Sequence, residues 1–324
     1  MKLKPKAISH LKKKDLIFVD SWFLGNIQSK ELFHLSFYNF ETKNVSKRAR
    51  SSFSSFQNDT NKPILLERLE GNDKGICVLS LNHPKVNALS RKLLDSMQEC
   101  LKTFEEDNMK TIRTVIIRSN LESKIFCAGA DLKERETMTP KETSEFVQLL
   151  RNTFTRIERL PQPVIASIDG TAVGGGLELA LACDIRVAGK NAILGLVETS
   201  LAIIPGAGGT QRLPRVVGIS KAKELIFTAR KFDGSYAECI GLLDSWNATQ
   251  ESSMDKALTL AREIVNNGPV AIAAAKQAIN ESFAPTVQNM SAEKNAYDRV
   301  IPTKDRLEAL AAFKEKRKPS FKGE

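Results

Sequence analysis

Residues 169–212 read DGTAVGGGLELALACDIRVAGKNAILGLVETSLAIIPGAGGTQR, and the fold is decided in that stretch. Three glycines, Gly174, Gly175 and Gly176, open a run too apolar for a surface helix, and the run carries one acid, Glu178. Twenty residues on, a second acid, Glu198, sits in the otherwise apolar segment GLVETSLAII. Glycine lets a ligand lie close against the backbone. The first turn of a helix leaves backbone N–H groups unpaired at the positive end of its dipole. A glycine turn that opens a helix therefore suits an anion, including one that exists only in a transition state. An interior acid is costly unless it is partnered or used. A salt bridge at Glu178, with glycines that serve packing alone, would account for one acid. Two acids in apolar settings, one beside a glycine turn, point to general acid–base work.

A second turn, Cys127-Ala128-Gly129-Ala130-Asp131-Leu132-Lys133, follows an apolar strand and leads into a helix start. Its small residues let a ligand approach the backbone. By spacing alone it is a tight strand-to-helix connection. Beside the glycine turn before Glu178 it becomes a source of a second backbone N–H for one developing oxyanion.

The rest of the chain limits the chemistry. Its three histidines are His10, His34 and His83, and only His83 falls in the globular part. A histidine-based triad is therefore not expected, and proton transfer is left to carboxylates. The five cysteines are widely spaced with no CxxC pair. They indicate neither a zinc site nor a disulfide framework, and a reducing compartment is the simpler inference. No apolar run approaches the roughly 20 residues of a membrane span. The net charge is +10, but residues 1–60 hold 11 Lys and Arg against 5 Asp and Glu and so carry +6 of it. The basicity belongs largely to the amino-terminal stretch and is not by itself a sign of nucleic-acid binding.

Residues 1–60 read as an extension rather than part of the fold. MKLKPKAISHLKKK is basic and SKRARSSFSSFQNDT is rich in Ser and Arg. That pattern is expected of a mitochondrial presequence cleaved near Arg48 to Ser55, with a disordered basic extension as the alternative. From Pro63, ILLERLE and GICVLSLN read as two strands joined by GNDKG, and SRKLLDSMQECLKTFEED as an amphipathic helix. TVIIRSN reads as a buried strand, and Thr139-Pro140 as the cap and first residue of a long helix. PVIASIDG and DIRVAG read as further strands. This alternation predicts an α/β fold of stacked ββα or βαβ units with a mainly parallel sheet. After Gly206 the pattern is helical, including NMSAEKNAYDRVI and a final helix with a basic tail.

FCAGADLKE, DGTAVGGGLELALACDIRVA and GLVETSLAIIPGAGGTQRLPR together closely resemble the signature stretches of the crotonase, or enoyl-CoA hydratase/isomerase, superfamily. The resemblance covers about residues 63–324. Within it, ADLKER, LVET-x-LAIIPG and the ending IPTKDRLEALAAFKEKR are most similar to mitochondrial hydratases of leucine catabolism. The resemblance implies a crotonase (ClpP/crotonase-like) spiral of ββα units over residues 61–255, a helical trimerisation region over residues 256–324, and a mitochondrial matrix address. It implies a homotrimer or a dimer of trimers. It gives Ala130 and Gly175 the oxyanion hole, and Glu178 and Glu198 the catalytic pair. Ala130, Asp131, Leu132 and Lys133, with Gly175, would bind the enoyl-CoA substrate, and Lys314, Lys316 and Arg317 would meet coenzyme A phosphates from a neighbouring subunit. No cofactor is implied, because coenzyme A arrives as part of the substrate. A broader short-chain enoyl-CoA hydratase, a fold-keeping scaffold, and a protein that binds RNA are the alternatives. The RNA-binding relative carries lysines along its first helix, where this chain has Arg91 followed by Asp95 and Glu99. Acids there repel phosphates.

Overall fold

The computed structural model describes residues 62–123, 125–250, 252–282 and 302–324. The presequence expectation and the helix expected over NMSAEKNAYDRVI lie outside the described residues. Strands and helices follow in the order β1 (Ile64–Arg68), β2 (Ile76–Leu81), α1 (Arg91–Asp107), β3 (Thr114–Ser119), β4 (Ile125–Cys127), α2 (Leu132–Glu136) and α3 (Pro140–Arg159). Then come β5 (Val164–Ile168), β6 (Thr171–Val173), α4 (Gly175–Leu181), β7 (Ile185–Ala188), β8 (Ile193–Gly195) and a 3-10 turn, Glu198–Leu201. The chain continues through α5 (Gly209–Val217), α6 (Ile219–Thr228), β9 (Phe232–Asp233), α7 (Gly234–Cys239), β10 (Ser245–Trp246), α8 (Met254–Val265), α9 (Pro269–Glu281) and α10 (Lys304–Glu315).

The strands form two sheets where the sequence suggested one. The larger has the order β1-β2-β3-β5-β7-β10 and the smaller β4-β6-β8-β9. Both are parallel except at one edge, where β1 and β9 pair antiparallel to their neighbours. The chain crosses from the large sheet to the small one three times, at β3 to β4, β5 to β6 and β7 to β8. Each crossing is followed by helical structure, so the repeating unit is ββα. Strands β4, β6 and β8 have three residues each. Alternation cannot be read over so short a span, which is why β6 and β8 escape the sequence pattern.

The large sheet is buried on both faces, as continuous apolar strands require. On one side Cys77, Leu79 and Leu81 of β2 meet the apolar faces of α1 and α3, with Leu94, Leu101, Phe104, Phe146 and Phe154 all buried. On the other, Ile76 and Val78 meet Ala257 and Ala261 of α8. By its packing α8 thus belongs to the ββα body, although the sequence boundary near 255 groups it with the carboxy-terminal helices. Local signals set the helix starts. Ser90 Oγ caps α1 by accepting from Leu93 N at 3.3 Å. Thr139 and Glu142 form a reciprocal capping box before Pro140 in α3. No described helix is long and apolar enough to cross a membrane.

The glycine turn settles where α4 begins. Gly174 has φ +54° and ψ −128°, a conformation that side-chain-bearing residues avoid, and its N–H donates to Gly195 O at 2.8 Å. At Gly176 a Cβ would overlap the carbonyl oxygen of Cys127 at the end of β4. The first turn of α4 therefore rests backbone to backbone on β4. Gly176→Ala is expected to destabilise the protein by about 1–3 kcal/mol or more, because neither backbone can yield. Urea unfolding checks it, and an unchanged midpoint would show that the contact is not needed.

Candidate active site

Two turns meet at the amino end of α4. Leu89 N donates to Gly129 O at 2.8 Å and Asp131 N donates to Leu89 O at 3.2 Å, a parallel bridge between Leu89 and Ala130. Such a bridge uses the groups on either side of Ala130 and leaves its own N–H facing the opposite way. Gly175, the first residue of α4, has no intrahelical acceptor for its N–H. Among the described residues neither amide has a hydrogen-bond acceptor. The two are neighbours: a Cβ built on Gly175 would lie 3.6 Å from Ala130 N, and one on Gly129 would lie 3.1 Å from Gly175 N.

Glu178 lies in the first turn of α4 and is only 3% exposed. Its Oε1 accepts from Ala207 N at 2.9 Å and from Gly209 N at 2.7 Å. Gly209 is the first residue of α5, so the carboxylate also sits at the positive end of a helix dipole. Burial pushes its pKa above the usual carboxylate range, while the amides of Gly209 and Ala207 and the charges of Arg212 and Arg151 pull it back. These contacts favour the ionised form.

Glu198 opens the 3-10 turn and is 8% exposed. Its Oε1 lies over Gly174, 3.4 Å from where a Cβ would stand. Its Oε2 is buried and has no hydrogen-bond partner among the described residues. Burial first, and the nearby Glu178 charge second, push Glu198 up to about 7. The two acids line the same cavity in unequal settings: Glu178 Oε1 accepts two amide hydrogen bonds from a remote loop, and Glu198 Oε2 has no partner among the described residues. That inequality divides a carboxyl pair into a base and an acid.

Ala130, Gly175, Glu178 and Glu198 line one cavity of about 530 Å³. Leu132, Val147, Leu150, Val197 and Leu201 make much of its remaining wall apolar, and Arg135 and Arg151 add positive charge. Other expected contacts lie elsewhere. The Asp131 carboxylate caps α2, accepting from Lys133 N at 3.0 Å and Glu134 N at 3.3 Å. Lys133 is exposed and outside the cavity lining. Lys314 lies within α10 and Lys316 is exposed just beyond it. Arg317 is occupied by Glu308 at 2.7 Å and Glu315 at 2.6 Å. Lys316 and Arg317 do not line the cavity within one chain. Cys127, in the turn itself, is fully buried with its thiol pushed up to about 12 by burial, so it packs rather than reacts. The sequence reading missed the Ala207 and Gly209 amides and the cavity arginines. The glycines of PGAGGTQR were the available signal for the amides, since they leave the backbone bare.

A sequence profile of the enoyl-CoA hydratase/isomerase family matches residues 71–324. The chain belongs to that family. The mitochondrial methylglutaconyl-CoA hydratase of Homo sapiens is 50% identical over 270 residues, which cover 82% of this chain and 79% of the human protein. A probable mitochondrial enoyl-CoA hydratase 2 of Arabidopsis thaliana is 48% identical over 262 residues, covering 80% and 86%. The crystal structure of an enoyl-CoA hydratase from Bacillus anthracis superposes with a TM-score of 0.76 at 45% identity, covering 81% of this chain and all of that one. The two-sheet ββα body is therefore the crotonase fold of this family.

The Glu198 setting has a thermodynamic consequence. Its folded pKa of about 7 lies above the ordinary 4.5. The stability it contributes is fully present below 4.5 and is lost as pH rises through about 7. Glu198→Gln removes the unpartnered charge and is expected to raise stability at pH 8 by about 1–2 kcal/mol. The gain should fade towards pH 4.5. Unfolding midpoints measured across that range check it, and a variant no more stable than wild type at pH 8 would contradict the unpartnered state of Glu198.

Proposed function

We propose that this protein adds water across the 2,3 double bond of an enoyl-CoA thioester, as a hydro-lyase. The observation that carries the reading is one cavity that holds two unoccupied backbone amides and two carboxyls in opposite protonation settings. The thioester carbonyl oxygen accepts from Ala130 N–H and Gly175 N–H. Electron density drawn to that oxygen makes the β-carbon electrophilic and lets charge gather on oxygen during attack. Glu178 and Glu198 hold one water between them. Ionised Glu178 takes a proton from the water as its oxygen bonds to the β-carbon. Protonated Glu198 gives its proton to the α-carbon as the enolate collapses. The proton then passes from Glu178 to Glu198, and both carboxyls return to their starting states.

The finer reading is that the substrate is 3-methylglutaconyl-CoA, hydrated to 3-hydroxy-3-methylglutaryl-CoA in leucine catabolism. The names and identities of the relatives support it, and their mitochondrial names support a matrix location. One feature of the site favours an acidic acyl group. Arg135 lines the cavity and has no carboxylate partner among the described residues, whereas Arg151 is held by Gly206 O and Gln148. A free guanidinium in an apolar wall suits a distal carboxylate. The alternative is a broader short-chain enoyl-CoA hydratase of fatty-acid oxidation. Assembly as a trimer or dimer of trimers rests on the family resemblance, and light scattering on the purified protein measures it.

Glu178→Gln and Glu198→Gln are each expected to lower hydration kcat by about 10²–10⁴-fold in a folded protein. Normal turnover in either would end the acid–base assignment. In the wild type, kcat/KM should fall as pH rises through about 7, because Glu198 loses the proton it must donate. Steady-state rates on a panel of enoyl-CoA thioesters separate the substrates. Arg135→Met should lower kcat/KM about tenfold or more for 3-methylglutaconyl-CoA, the value of one charged hydrogen bond, and much less for crotonyl-CoA. Equal losses on both would place Arg135 against the coenzyme A part instead.

A further inference from the structure

The amides that receive Glu178 come from a loop with almost no side chains of its own, Gly206-Ala207-Gly208-Gly209. Such a segment gains no order from packing its own groups and loses the most conformational freedom on folding. Something outside the loop must hold it, and the holding atoms are guanidinium nitrogens. Arg212, on the first turns of α5, is 7% exposed. Its Nη1 donates to Ala207 O at 3.0 Å, and the guanidinium lies against Gly208, where any Cβ would overlap it. Its Nε and Nη2 both donate to Glu158 Oε2, at 3.1 Å and 2.7 Å, and Nη2 reaches Thr155 Oγ1 at 3.4 Å. Glu158 and Thr155 stand on α3. Arg212 therefore ties the loop to a long, well-packed helix. It is not among the residues that line the cavity holding Glu178 and Glu198.

We propose that Arg212 is a positioning residue for the general base: braced by Glu158, it holds the Ala207 and Gly209 amides onto Glu178 and so keeps that carboxylate ionised and aimed. The inference rests on the reading of Glu178 as the base. Arg212 never touches the substrate. It acts through the peptide unit of Ala207, whose carbonyl it binds while the N–H of the same residue binds Glu178. Its charge also acts directly, since it is one of the groups that draw Glu178 back from the shift that burial imposes. The other charged groups facing Glu178 are Arg151, from α3, and Glu198, from the 3-10 turn. Arg151 is the weaker brace: it is exposed, binds Gly206 O at the start of the loop and Gln148 on its own helix, and binds neither Ala207 nor Gly209. A lysine could not replace Arg212, because a single ammonium does not span Ala207 O and Glu158 at once in fixed geometry.

The test is the pH profile of crotonyl-CoA hydration by the full chain carrying Arg212→Gln, Arg212→Lys, Glu158→Gln or Glu178→Gln. Arg212→Gln should lower kcat on the order of 10²-fold, the cost of a misplacement of about 1 Å, with KM little changed. It should also move the acidic limb of kcat/KM to higher pH, because Glu178 then takes up its proton more readily. Arg212→Lys keeps the charge, so its acidic limb should stay near that of wild type while kcat is intermediate. A folded Arg212→Gln protein with wild-type kcat and an unmoved acidic limb would overturn the proposal, as would a change confined to KM. If Arg212→Gln does not fold, Glu158→Gln carries the test: it removes the brace's charge alone and should lower kcat, and full activity there would equally overturn it. Glu178→Gln separates the two levels. Full turnover in that variant removes the base itself, whereas an inactive Glu178→Gln beside a fully active Arg212→Gln removes only the positioning role.

Discussion

A buried carboxylate that has to be partnered is the constraint around which this structure is arranged. Glu178 is almost wholly removed from water, and a lone charge in such a place would cost several kcal/mol and take up a proton instead. It receives two amide hydrogen bonds, the positive end of α5 and two arginines. They come from three neighbouring parts of the chain. The Ala207 amide comes from the loop before α5, the Gly209 amide, the dipole and Arg212 from α5 itself, and Arg151 with the Glu158 that braces Arg212 from α3. In the proposed reaction the acid serves as a base because the elements that carry these groups are packed against one another before any substrate arrives.

The two sheets explain how that packing is achieved. Each crossing from the large sheet to the small one delivers a short strand whose end becomes a turn at the cavity. Strand β4 ends in the turn of Ala130, β6 ends in the glycines before α4, and β8 leads to Glu198. Their parallel pairing, β4 to β6 and β6 to β8, sets the three turns side by side. The absence of a side chain at Gly176 then lets α4 close onto β4. An amide at Ala130 and an amide at Gly175 become neighbours through this stacking and not through any bond between them.

The contrast between the two acids follows from the same arrangement. Glu198 belongs to a short 3-10 turn and presents one oxygen to the glycine turn and one to no donor among the described residues. It therefore holds its proton to about pH 7, whereas amides and arginines draw its neighbour back from the upward shift that burial imposes. The two side chains are identical, and their settings differ because one receives two amides from a remote loop while the other keeps an oxygen with no partner among the described residues. The unpartnered oxygen is a local cost in stability that the site carries in return for an available proton.

Much of this was legible in the residues. The apolar run around Glu178, the glycines before it, the small-residue turn at Ala130 and the second acid at Glu198 were all visible, because burial and close approach restrict residue type. The cap at Thr139 and the strands β2, β3 and β5 were visible for the same reason: their signals lie within a few neighbouring residues. What the linear chain could not disclose was everything that joins distant segments. The three-residue strands of the second sheet carry no period, so the division into two sheets became apparent only in space. Asp131 and Lys133 look like ligands by position, yet one caps α2 and the other faces solvent. Arg212 and Glu158 lie 54 residues apart, and nothing in either segment names the other as its partner. Sequence determined which residues could tolerate burial, close backbone approach and charge; tertiary structure alone decided which amides and cations would meet Glu178, because those contacts are made by folding remote pieces of backbone into one small volume.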